Sequence, residues 1–432
     1  MMNTKKMRIK LLLSALFITS IAVSCSGQDS AKNSGTTVKA PSNEPVTISI
    51  LSWNPLTDEE FERYYVKPVA KRYPNITLKL VKKNSGTAQD AIASHLMAGN
   101  FPDLIFVSNK DINDFLLAKT VYSLDDFVKS NKFDTKRFEP SAIASLQRKK
   151  EEGGLVAIPW AQNVGALFYS KDVFDKFGVP YPKDLMTWDE SLELARKLTR
   201  KENGVQYVGI NLSSLSQFVQ SLSVSYLDPN GKALVDTAVW KRILEFYKTA
   251  FAIPGGATKA NLFGSKTAAM QPDWLLTSIN AAAKDPDFRW DVAGLPNFKE
   301  NLGTGREVDA HSLAISASSK HKEQAFQVIQ AVTSDEVQTE LSQYGRVPAL
   351  VDSKILTGFG SQLPYLAGKN LAAIFKTTPG KLRENSTAYD TVVLGFINPL
   401  ADRLRAGETD INTMLRETQE KADAALATAV KK

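Results

Sequence analysis

Few residues in this chain have the type and spacing that covalent chemistry needs. The single cysteine, Cys25, lies in an amino-terminal leader, and the three histidines, His95, His311 and His321, are scattered. Nothing in their spacing suggests a metal site. There is no Gly-x-Ser-x-Gly nucleophile turn, no Walker-type phosphate loop and no His-Glu-x-x-His pair. A glycoside hydrolase would need two carboxylates flanking a cleft. The acidic pairs Asp125-Asp126 and Glu151-Glu152 read instead as solvated or capping residues. The expectation is a protein without catalytic residues, cofactor or metal. What remains is non-covalent chemistry at strand ends, where Trp53-Asn54 and Ser108-Asn109 stand. In open parallel sheets, ligands gather beyond the carboxyl ends of the strands.

The elements that would position those residues follow from periodicity. Val46 to Trp53 reads as a strand with Val46, Ile48 and Ile50 on one face. A helix begins at Asp58, with Asp58, Glu59 and Glu60 in its first turn, and Pro68 should kink or interrupt it. Ile76 to Val81 is a second strand. Thr87 opens a helix through Met97, ended by Gly99. Leu104 to Val107 is a short buried strand. This β-α-β-α-β order argues for a parallel α/β layer. Further on, Leu155 to Pro159 and Val164 to Tyr169 are extended. Thr187 and Glu190 form a capping box for a helix to about Arg200. Helices restart at Lys320 and at Ser334, the latter ending at Gly345. Beyond about residue 350 the pattern is mostly helical.

The chain has 432 residues and a formal charge of +7, a length compatible with two or three domains. Most of that charge belongs to the leader. Lys5, Lys6, Arg8 and Lys10 precede the uncharged run Leu11 to Val23, the layout of a signal peptide. Without residues 1–24 the chain keeps 49 cations against 46 acids, a balance of +3 that gives no argument for nucleic acid. Ala22-Val23-Ser24 before Cys25 resembles the leader of a bacterial lipoprotein, whose amino-terminal cysteine carries acyl chains, although Ala22 stands where such leaders usually have Leu. Ser26 to Pro45 is too polar to fold and reads as a flexible tether.

Several segments together resemble the extracellular solute-binding proteins of ABC importers, the family that includes the maltose-binding protein. They are Gly99-Asn100-Phe101-Pro102-Asp103-Leu104, then Gly154 to Pro159 with Phe168-Tyr169-Ser170-Lys171-Asp172-Val173-Phe174, and then Leu185 to Glu190. Phe263 to Met270 with Trp274 follows, and last Thr333 to Gln338 with Gly345-Arg346-Val347-Pro348-Ala349. In this order they cover residues 46–350.

The resemblance implies an α/β fold of two lobes joined by a hinge, each lobe a central sheet flanked by helices, that closes on its ligand. It implies lobe 1 from 46–160 and 309–350, and lobe 2 from 161–308 with a mainly helical return over 351–432. Residues 1–24 are then the signal peptide and 25–45 the lipidated tether. It also implies a sugar or oligosaccharide as ligand, permease subunits of an ABC transporter as partners, no enzymatic turnover, a monomer, and a lipid anchor facing outside the cytoplasm. Sugars present flat C–H faces and a rim of hydroxyls, which suits aromatic rings beside short polar groups. On that basis Trp274 and its neighbour Asp273 are expected in the cleft. Trp160, Gln162 and Asn163 are expected on one crossing segment. Asp309 and His311, just before the strand Leu313 to Ile315, are expected at another. Trp53, Asn54, Ser108 and Asn109 complete the set. Trp188, Trp240 and Trp290 are expected in the core. The alternatives are the same fold holding another small solute, or a secreted glycoside hydrolase.

Overall fold

The computed structural model describes residues 44–83, 87–150, 153–212, 215–384, 387 and 389–429. Cys25, the leader and most of the tether lie outside the described residues. Residues 43–432 form one compact unit.

The strands are, in chain order, β1 (Val46–Ser52), β2 (Ile76–Lys82), β3 (Leu104–Ser108), β4 (Ile158–Asn163), β5 (Gly165–Ser170), β6 (Arg200–Glu202) and β7 (Val205–Ile210). After them come β8 (Ala268–Trp274), β9 (Trp290–Gly294), β10 (Thr304–Glu307), β11 (Asp309–Ile315), β12 (Val347–Pro348) and β13 (Thr378–Gly380). One sheet has the order β12-β4-β11-β3-β1-β2, the other β6-β7-β8-β5-β9, and β10 pairs with β13 alone. In the first sheet β1 is parallel to both β2 and β3, as the alternation of strand and helix requires. Strand β11 runs antiparallel between β3 and β4. The chain passes from the first sheet to the second at Val164, between β4 and β5, and enters the first sheet again at Val308, from β10 of the two-stranded pair into β11.

Each sheet has its own apolar core. The first gathers Ile48, Ile50, Ile105, Phe106, Trp160 and Phe326, among others. The second gathers Leu167, Trp188, Phe218, Trp240 and Phe246. Helices 390–397, 400–405 and 411–429 add Val393, Ile397, Leu400, Met414 and Leu415 to it. Trp188, Trp240 and Trp290 are all fully buried, as expected of packing residues.

Local chemistry explains the boundaries. Thr57, Thr87 and Thr187 each cap a helix in a reciprocal pair with the acid three residues on, Glu60, Asp90 and Glu190. The helix from Asp58 does continue past Pro68, but a π-helical turn over Glu62–Val66 precedes it. That turn accommodates a residue without an N–H to donate. Four boundaries differ from those read from the sequence. The helix after Thr187 stops at Leu198, because Arg200–Glu202 pairs with β7. Strand β4 begins at Ile158 and runs to Asn163, held on both sides by β11 and β12. Asp309 and His311 lie inside β11, not before it, since pairing with β4 extends that strand. Residues 378–380 form a strand in the otherwise helical and irregular last part.

Candidate ligand-binding site

The carboxyl ends of β1, β3 and β8 and the two passages between the sheets bring together most of the polar residues singled out above. Register places Ser108 opposite His311, Asp309 opposite Asn163, and Gly165 opposite Trp274.

Trp274 ends β8 half-buried, where the chain turns into the helix Leu275–Ala282. Two cations lie over its ring. Lys110 Nζ, from the turn after β3, is 4.5 Å from the ring centroid, and the Arg306 guanidinium, from β10, is 4.3 Å away. Such contacts are favourable and fix a ring's orientation. Lys110 thus reaches from the first sheet to the second. It also stands 3.4 Å from Asp309 Oδ1, whose other oxygen lies 3.9 Å from His311 Nε2.

The electrostatics follow from burial. Desolvation alone would raise the Asp309 carboxyl, but Lys110, His311 and a hydrogen bond from Asn163 outweigh it and hold Asp309 below the usual carboxylate range. Burial pushes His311 down to about 4, with Arg346 and Lys110 adding to the effect and Asp309 opposing it. Its imidazole is neutral near pH 7. Burial also lowers Arg306 to about 10, against the attraction of Asp273, Tyr247 and Asp309, so it stays charged. Arg306 Nε and Nη2 are buried without a hydrogen-bond partner. Its stem lies against Gly165, where a Cβ would come 2.6 Å from Nε. A side chain there would have to displace Arg306.

The other expected residues divide. Asn109 closes a two-way amide clasp on β11, donating to Val308 O and accepting from Ala310 N. Asn163 Oδ1 accepts from Leu276 N. Gln162 donates to Pro348 O, tying β4 to β12. Asp273 accepts from Trp274 N and from Gln271 Nε2. Ser108 donates to Asp111. Asn54 is buried at the end of β1 with Nδ2 unpartnered. Trp53 is 8% exposed, its edge on Phe115 and Lys83 over its ring.

Trp160 requires a correction. It is 0% exposed and packs on Tyr64, Tyr65 and Phe106, so its ring belongs to the first core. It lies within the buried run of β4, where only Gln162 and Asn163 at the end of the strand leave the core.

Two residues of the cluster escaped the sequence reading. Lys110 follows Asn109 directly, and the strand-end rule extended by one position would have included it. Arg306 had no such signal, because β10 carries no periodic pattern. A cavity of about 320 Å³, within the range of small-molecule pockets, adjoins the cluster. Asn163, Gly165 and Arg306 line it together with Gln162, Val347 and Phe375.

Residues 53–339 match the family of bacterial extracellular solute-binding proteins, and the chain belongs to that family. The multiple sugar-binding protein of Streptococcus mutans is 22% identical over 352 residues, covering 75% of this chain and 78% of the relative. YcjN of Escherichia coli, assigned as an ABC-transporter periplasmic-binding protein, is 23% identical over 48% of this chain. The match spans only 50% of the length of that relative. Among solved structures, the sugar-binding protein MalE of Xanthomonas citri aligns with a TM-score of 0.71 at 20% identity, over 89% of this chain and 98% of its own. At these identities the solved structure establishes the fold: two α/β lobes of the periplasmic-binding-protein type.

Proposed function

We propose that this protein captures a saccharide in the cleft between its two lobes, outside the cytoplasm, and hands it to the permease of an ABC importer without altering it. The observation that carries this reading is Trp274, a half-buried ring at a strand end of the second sheet that a side chain of the first sheet touches. A ring so placed can stack on the apolar face of a sugar, while Asn54, Asn109, Asn163, Asp273, Asp309 and His311 supply short polar groups. The names of relatives agree, since the Streptococcus mutans protein is a multiple sugar-binding protein. A solved relative from Thermotoga lettingae, aligned at a TM-score of 0.69, holds α-D-tagatose.

In this reading residues 46–160 and 309–350 make one lobe, and 161–308 with 351–432 the other. The protein works as a monomer, tethered through an acylated Cys25 and residues 26–45. Closure selects the loaded protein because the ligand binds the closed state better than the open one. A thermal-shift screen of mono- and oligosaccharides on protein starting at Asn43 tests the reading. A true ligand at ~100 times its dissociation constant adds about 2.7 kcal/mol of stability. Mass spectrometry of the same mixtures should show the saccharide intact, whereas steady protein-dependent cleavage would make the protein a hydrolase.

A further inference from the structure

The hydrogen-bond inventory of the cluster is unbalanced in one direction. Its acceptors are already engaged. Asp309 is held by Lys110 and Asn163, and Asp273 accepts from the Trp274 amide and from Gln271. Its open atoms are the donors Arg306 Nε and Nη2 and Asn54 Nδ2 at the end of β1, beside Nδ1 of the neutral His311, which donates or accepts according to tautomer. Arg306 is 4% exposed and makes no ion pair with any of the described carboxylates. A neutral sugar offers hydroxyls that donate as readily as they accept, whereas the open edge of Arg306 only donates, and Asp273 and Asp309 attract Arg306 without filling that edge. The two open nitrogens of Arg306 form one edge of the guanidinium. Their N–H groups run parallel, the arrangement that receives both oxygens of a carboxylate. The stem is held against Gly165 and the ring of Trp274, so the fork is set in place before a ligand arrives. Arg306 lines the same cavity as Asn163, while its Nε and Nη2 atoms are themselves buried.

We propose that the preferred ligand is an acidic saccharide, a uronate whose carboxylate pairs with the Nε–Nη2 edge of Arg306 while its ring lies near Trp274. This rests on the saccharide-binding reading above and narrows it. A buried charge left unpaired is costly, and a ligand carboxylate removes that cost only in the bound state. The preference should therefore appear in affinity for the acid over its uncharged counterpart.

The test is calorimetric titration of the whole processed protein with galacturonate, glucuronate and their disaccharides. Each is set against its methyl ester, which keeps the shape and removes the charge, and against the parent neutral sugars. The expected result is at least one acid that binds tenfold or more tighter than its ester. Arg306→Gln should abolish that preference. Arg306→Lys, which keeps the charge but not the fork, should lose at least fivefold for the acid. Both variants are checked for an unchanged fold by circular dichroism, and the ester comparison on the parent protein stands if either fails to fold. Neutral sugars binding as well as or better than every acid would overturn this inference and leave the saccharide reading intact. Binding of no saccharide at all would overturn both.

Discussion

In the proposed site, Trp274 is the residue on which ligand and protein demands would meet. Its ring is half-buried and already carries Lys110 and Arg306, so a sugar that stacks on it must displace or share those cations. Truncating such an aromatic anchor costs ~2 kcal/mol or more of binding, and Trp274→Ala should weaken saccharide binding roughly 30-fold. The variant should still fold, since the ring is only partly in the core. Normal binding combined with a large loss of stability would make it a packing residue. His311 supports a second prediction, with a definite sign. Its folded pKa of about 4 lies below the unfolded value of about 6.5, so the unfolded chain binds the proton more readily. Stability is therefore full above pH 6.5 and is lost as pH falls toward 4. Between pH 7 and pH 5 this residue alone should remove ~2 kcal/mol. Urea midpoints of the parent and His311→Asn at both pH values measure it, and the pH slope should shrink in the variant.

The elements that hold the site together are fastened by a few buried polar side chains. Gln338, fully buried in the helix Asp335–Gln343, donates to Trp160 O in β4 and accepts from Ala349 N beyond β12. It ties a passage strand to the segment that follows the helix. Gln338→Leu keeps much of the volume but strands at least two backbone groups, each worth about 1–3 kcal/mol. A loss of ~3 kcal/mol in urea unfolding is expected, and a loss under 1 kcal/mol would mean water or backbone shifts replace the amide. The elements themselves were largely legible. Capping boxes at Thr87 and Thr187 and the parallel layer of β1, β2 and β3 follow from local pattern. What the pattern could not carry is pairing between distant segments. Asp309 and His311 join β11 only because β4 lies beside them, and Arg200–Glu202 leaves the helix only because β7 offers an edge. Trp160 failed as a site residue for the same reason, since its burial is decided by Tyr64, Tyr65 and Phe106. Arg306 gave no signal because burial and charge combine there through tertiary contacts alone.

At the scale of the whole molecule, two sheets with their own main cores are joined by the chain at Val164 and Val308 and by a smaller apolar cluster that sets Val347 of β12 with Phe168 and Val292 of the second sheet. Such a molecule can close by rotating one lobe on the other with little change inside either core. A saccharide that drives closure should lower the radius of gyration in solution scattering. Lys110→Ala should leave the lobes folded while altering the unliganded radius, because it removes a contact from the first sheet to Trp274 in the second. The sequence-level proposal of a lipid anchor belongs to this scale too. Cys25→Ala should release the protein from the membrane fraction or block its processing, and unchanged retention with the same mature mass would contradict it. The most direct test of the central claim is calorimetric titration of the processed parent protein and Trp274→Ala with the saccharide that most stabilises the parent. Saturable one-to-one binding, weakened roughly 30-fold in the variant with its melting temperature nearly unchanged, is the result predicted here. Absence of binding by every saccharide tried, or equal affinity in parent and variant, would contradict it.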